Sequence, residues 1–159
     1  MPIIHGMPAP LANSRTGCVP RRRTPPASIK NKSDIWAFPP AAFSTLLAAA
    51  DHPNVKIWVG LDPVDRDGIG LAALPRLQAQ AVILRADPSS WNAQGNARSL
   101  IAALGTHCQS DLIAGAIHID AKWPTDALAE LACGKSSDQY RAAFAAHALA
   151  ALKAAMPSH

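Results

Sequence analysis

Three short apolar runs constrain the fold most: residues 55–61 (VKIWVGL), 81–86 (AVILRA) and 111–117 (DLIAGAI). A strand with one wet face alternates apolar and polar side chains, whereas a near-continuous apolar run is buried on both faces, as in a parallel sheet. The segments between the runs have helical character. Residues 41–51 place Phe43, Leu46 and Leu47 on one face and stop before Pro53; residues 69–74 stop at Pro75. Residues 97–104 are followed by Gly105 and residues 125–133 by Gly134, where left-handed caps belong. Ser136 and Gln139 match a capping box for a last helix to about residue 155, with Tyr140, Phe144 and Leu152 as its core stripe. This alternation predicts an α/β fold of about three parallel strands flanked by helices.

Composition changes abruptly at residue 40. Eight of the 14 prolines fall in residues 1–40, and that density sustains neither helix nor ladder, so residues 1–40 read as a disordered Pro/Arg-rich head and residues 41–159 as the folded portion. The net charge of +4 belongs to this head: it carries six Lys/Arg against Asp34 alone, while the remainder carries nine against ten Asp/Glu. Arg21, Arg22 and Arg23 have no interleaved aromatic residues, so they read as a solvated tail and no nucleic-acid partner is expected. No apolar run approaches the roughly 18 residues of a membrane span, and no secretory signal is visible, so no membrane partner and a cytoplasmic location by default are expected. Cys18, Cys108 and Cys133 form no C-x-x-C pair, which argues against a disulfide framework or a zinc site. His52, His107 and His147 lack metal-ligand spacing, and no glycine-rich phosphate loop occurs, so neither metal nor cofactor is expected.

Ligands of open parallel sheets sit beyond the carboxyl ends of the strands. Asp62 follows the first apolar run, Asp87 the second and His118 the third. A carboxylate and a histidine meeting there form the base half of a nucleophilic hydrolase: the imidazole takes the nucleophile's proton, and the acid fixes its tautomer. Taken singly, each aspartate is also explained as a turn former before proline. Asp65 and Asp67 read as loop-capping or solvating groups, and Trp58 and Trp123 as packing, with Trp123 close enough to His118 in sequence to line a substrate pocket.

Three segments resemble a family. Trp58-Val59-Gly60-Leu61-Asp62-Pro63-Val64-Asp65 is similar to the segment after the sixth strand of α/β-hydrolases of the chlorophyllase and dienelactone-hydrolase-like group. Residues 84–93 (LRADPSSWNA) resemble the seventh strand and its loop. Gly115-Ala116-Ile117-His118-Ile119-Asp120, with Trp123-Pro124-Thr125-Asp126, resembles the eighth strand and the catalytic-histidine loop. The resemblance covers about residues 41–155 and implies a partial α/β-hydrolase fold with His118 as the triad histidine. Asp62 is the favoured acid, at the position used by platelet-activating-factor-acetylhydrolase-like esterases, and Asp87 is its rival. It also implies a small-molecule carboxylic ester as substrate and no cofactor.

The nucleophile departs from this pattern. The family needs a G-x-S-x-G turn ahead of the helix at 41–51, and no such run occurs; the position expected to hold serine is Pro39. Ser44 lies inside the predicted helix without flanking glycines. The expectation is therefore a truncated, frameshifted or inactive member that keeps the acid and histidine of a Ser-Asp-His triad. The alternative is a non-catalytic interaction protein that self-associates, or pairs with a missing N-terminal half, through an exposed edge strand at 55–61.

Overall fold

A computed structural model describes residues 35–37 and 42–156 of the chain. Strands β2 (Ile57–Leu61), β3 (Gln80–Arg85) and β4 (Cys108–Leu112) form a parallel sheet flanked by helices, and a short strand β1 (Ile35–Ala37) extends it to the order β1-β2-β3-β4. Helix α1 (Ala42–Asp51) joins the first strand pair, α2 (Ile69–Ala73) the second and α3 (Ala97–Leu104) the third; α4 (Ala127–Cys133) and α5 (Asp138–Ala155) follow the last strand. Every strand is parallel to its neighbours, so all four carboxyl ends lie on one edge.

The central strands are buried on both faces. Ile57, Val59, Leu61, Val82 and Leu84 point to one side and pack with Phe144 and Ala148 of α5. Trp58, Ala81 and Ile83 point to the other, against Leu46 and Ala49 of α1 and Ala97 and Leu100 of α3. Each fully buried large side chain contributes about 1.5–3 kcal/mol, and two such faces account for the apolar runs. The Trp58 indole N–H donates to the Thr45 hydroxyl at 3.2 Å, which satisfies its one polar atom in the core. Gly60 is required opposite that ring: a Cβ there would lie 2.6 Å from Trp58.

Two expectations need correction. The third strand is Cys108–Leu112, not residues 111–117. Strand β4 is an edge strand of intermediate to exposed residues, so its sequence is polar, while Ile113 and Ala116 of the apolar stretch after it are buried without entering the ladder. Ile113 N–H donates to the Arg85 carbonyl and Asp87 N–H to the Ala116 carbonyl, which pins residues 113–116 across the end of β3 as a loop. The outer edge of residues 55–61 is also not open: Ile35, Trp36 and Ala37 pair with Trp58, Val59 and Gly60. These three residues belong to the stretch expected to be a disordered head, and they cover the edge of β2 at Trp58, Val59 and Gly60. The rest of that expectation, residues 1–34 and 38–40, lies outside the described residues.

Smaller differences concern helix ends. Residue 74 belongs to a 3-10 turn, Leu74–Arg76, that follows α2. Helix α4 starts two residues later than expected because the Asp126 carboxylate accepts the Ala129 N–H at 2.7 Å and caps it. The box at Ser136 and Gln139 does not form. Helix α5 starts at Asp138, and the Ser136 hydroxyl instead bonds Glu130 and Arg141.

Candidate functional site

The chain leaves β2 at Leu61 and turns sharply. Asp62 adopts a left-handed backbone (φ +41°), uncommon for a residue with a side chain. Its N–H still donates to the Leu84 carbonyl at 2.7 Å, so the residue is held to the end of β3. Its carboxylate is 1% exposed, and such burial is costly unless the oxygens are bonded. They are: Oδ1 accepts the Ala86 N–H at 3.0 Å, and Oδ2 accepts the Asn92 amide at 3.1 Å and faces His118 Nδ1 at 2.7 Å.

His118 opens a 3-10 turn, His118–Ala121, after the loop that crosses the end of β3. Asp120 builds that turn. Its Oδ2 accepts the Ile117 N–H at 2.8 Å and its Oδ1 accepts the Ser137 N–H at 2.7 Å, so one buried carboxylate fastens both the histidine turn and the start of α5. The imidazole is 18% exposed, against 1% for its partner. An ionised carboxylate can only accept, so the short contact places the proton on Nδ1 and leaves Nε2 as the basic nitrogen of the neutral ring.

The structure thus brings His118 and Asp62 together and leaves Asp87 apart. Asp87 Oδ2 accepts the Gly115 N–H at 2.9 Å, and no hydrogen bond joins it to the imidazole. Its place is to anchor the loop that delivers the histidine. Gly115 permits this: its φ is +84°, and a Cβ would run into the Tyr140 hydroxyl. Asp65 caps α2, accepting the Gly70 and Leu71 N–H groups at 2.9 and 3.0 Å. Ser44 is exposed on α1. The four residues joining β1 to α1 are Phe38-Pro39-Pro40-Ala41, none of which carries a nucleophilic side chain.

Sequence reasoning missed Asn92 and Asp120, both buried polar residues. The spacing Ser89-x-x-Asn92 resembles a capping box and offered a signal for the first, since Asn92 Oδ1 accepts the Ser89 N–H at 2.8 Å in a 3-10 turn, Ser90–Asn92.

A separate cavity of about 460 Å³ runs along α5, lined by Leu61, Trp123, Phe144, Leu149 and Leu152 among others. Neither His118 nor Asp62 lines it, so it is not the space in front of the imidazole. At its rim the Arg141 guanidinium stacks 4.8 Å from the Trp123 ring centre and bonds Thr125, Ser136, Asp138 and Glu130. The Ser136 hydroxyl, foremost, holds the Glu130 carboxyl below its ordinary range, with Thr125 and the Arg141 charge adding to it against a desolvation effect.

Cys108 and Cys133 are free thiols. Burial pushes Cys108 up to about 11, against the opposing Arg85 charge and an Ile83 backbone hydrogen bond. Among the described residues no group of three His, Cys, Asp or Glu side chains could hold a metal ion, and no helix is long and apolar enough to cross a membrane. Comparison of the chain with protein-family models, curated proteins and solved structures finds no match.

Proposed function

We propose that this chain carries the acid–histidine half of a Ser-Asp-His hydrolase site on a partial α/β-hydrolase fold, and that it lacks the nucleophile needed to turn over esters alone. The 2.7 Å contact between His118 Nδ1 and Asp62 Oδ2, at the carboxyl ends of parallel strands, carries this reading. With Nδ1 committed to the carboxylate, Nε2 is the group that would take a proton from a hydroxyl nucleophile and return it to a leaving alkoxide. The resemblance of residues 58–65, 84–93 and 115–126 to ester hydrolases supports a carboxylic ester as the substrate class. In such a site the serine stands on a strand-to-helix turn, and in the sequence Pro39 lies between β1 and α1, at the position expected to hold that serine.

The test restores the missing atom. A variant combining Ala37→Gly, Pro39→Ser and Ala41→Gly writes G-x-S-x-G into the β1–α1 connection. If His118 and Asp62 form a triad half, the variant reacts with a fluorophosphonate probe, the parent chain does not, and adding His118→Ala abolishes the labelling. A variant that folds and stays unlabelled, or that labels equally well without His118, overturns the reading.

A further inference from the structure

The buried side chain of Asn92 touches the site without facing any reactant. Its Oδ1 accepts two backbone N–H groups, Ser89 at 2.8 Å and Gly95 at 2.9 Å. Two donors on one atom fix the amide's orientation, because the nitrogen could accept neither. The Nδ2 group is thereby aimed at the Asp87 carbonyl at 2.9 Å and at the Asp62 carboxylate, with Oδ2 at 3.1 Å and Oδ1 farther off at 3.5 Å. Every hydrogen-bonding capacity of the amide is used, at 1% exposure. The oxygen it reaches is the same Oδ2 that faces His118.

We infer that Asn92 is a positioning residue for the His118–Asp62 pair: its amide holds the Asp62 carboxylate in the rotamer that aims Oδ2 at the imidazole. The inference rests on the reading of that pair as an acid–histidine couple. The two ends of the side chain do separate work. The oxygen end folds the 89–95 loop, and the nitrogen end orients the acid. The Ala86 N–H alone fixes only Oδ1 and leaves the carboxylate free to swing Oδ2 about that bond. A second donor removes this freedom, which is how an outer partner orients a catalytic carboxylate.

The two ends can be separated experimentally. Asn92→Asp keeps an oxygen for the Ser89 and Gly95 N–H groups but replaces the donor by an oxygen that repels Asp62. Asn92→Ser keeps a turn-forming acceptor but is too short to reach Asp62. Proton and nitrogen NMR of the full chain reads the shared His118 Nδ1 proton as a downfield resonance. This signal should be present in the parent and lost in Asp62→Ala. Its absence from the parent, or its survival in Asp62→Ala, overturns the acid–histidine reading itself. Given that signal, the expected result is its loss or displacement in Asn92→Asp and Asn92→Ser while the Ser89 and Gly95 amides stay dispersed. An unmoved resonance in either folded variant overturns the role of Asn92. Unfolding of both variants does so too, since the side chain would then be a structural prop only.

Discussion

Asp62 and His118 stand 56 residues apart in the chain and 2.7 Å apart in space. Asp87, the other aspartate at a strand end, is turned onto the Gly115 N–H. Two aspartate–proline steps of the same appearance therefore have different work, one holding the imidazole and the other the loop that carries it. Asp62→Ala should expose the difference. It orphans the Ala86 N–H and one N–H of the Asn92 amide inside the protein, at about 1–3 kcal/mol for each buried donor left without a partner. Urea unfolding should show that loss. Asp87→Asn keeps an acceptor for Gly115 and should cost under about 1 kcal/mol, the scale of one neutral hydrogen bond.

Ester turnover by the native chain should be small and should not depend on Ser44. That hydroxyl is exposed on α1, so Ser44→Ala should leave nitrophenyl acetate hydrolysis unchanged. What remains should fall in His118→Ala, because an imidazole acting on water contributes at most about 10²- to 10⁴-fold. Turnover abolished by Ser44→Ala would instead reveal a rebuilt nucleophile.

Gly115→Ala should destabilise the chain and disturb the site together. At φ +84° any side chain is strained, and here the added carbon also meets the Tyr140 hydroxyl. The penalty should exceed the ~1 kcal/mol of a simple glycine replacement at positive φ. Thermal unfolding measures it, and the His118 imidazole resonances should shift because Asp87 loses its hold on the loop.

Acid should reveal the Glu130 cluster. A carboxyl whose folded pKa lies below its unfolded value stabilises the fold above the ordinary glutamate range, and this contribution is lost as pH falls through the folded value. Ser136→Ala removes the leading cause. Melting temperatures of parent and variant should therefore differ at neutral pH and converge once acidification has passed below the ordinary glutamate range. A gap that is constant with pH would contradict the assignment.

Alkali should act through Cys108 with the opposite sign. The thiol rises from 9.0 to about 11 in the fold, so between those values the unfolded chain has lost a proton that the folded chain retains. Stability then declines as pH rises through that window, and Cys108→Ala should flatten the decline. At pH 8 the folded thiol holds roughly 100-fold less thiolate than a free cysteine, each pKa unit being tenfold. Iodoacetamide should accordingly modify it slowly in a chain that also carries Cys18→Ser and Cys133→Ser.

The elements legible in the sequence were those whose signals are local. Helix α3 occupies the expected residues 97–104, because a period of apolar residues and a terminal glycine together mark both ends. The two central strands fall within one or two residues of their apolar runs, since burial on both faces leaves that signature. Strand β4 was misplaced because an edge strand needs few apolar residues, while the loop after it buries Ile113 and Ala116 within an apolar run. Strand β1 is only three residues long, beside prolines, and its partner is 23 positions away at Trp58. Within the site, the types and order of Asp62 and His118 were visible. The choice between Asp62 and Asp87 was not, because it depends on which carboxylate the Ala86 and Asn92 donors reach, and those bonds exist only once the loops have met.

The dual attachment of Asp120 fixes the order in which the site can assemble on a growing chain. Everything that grips Asp62 other than the imidazole has been synthesised by residue 92, whereas the second oxygen of Asp120 finds its partner only when Ser137 arrives. Since chains fold from the amino end as they emerge, the acid's socket can form some 45 residues before the histidine turn gains its last anchor. A chain ending before residue 137 would display an intact acceptor with the histidine turn held at one Asp120 oxygen only, so the beginning of the last helix marks the length at which that turn gains its second anchor.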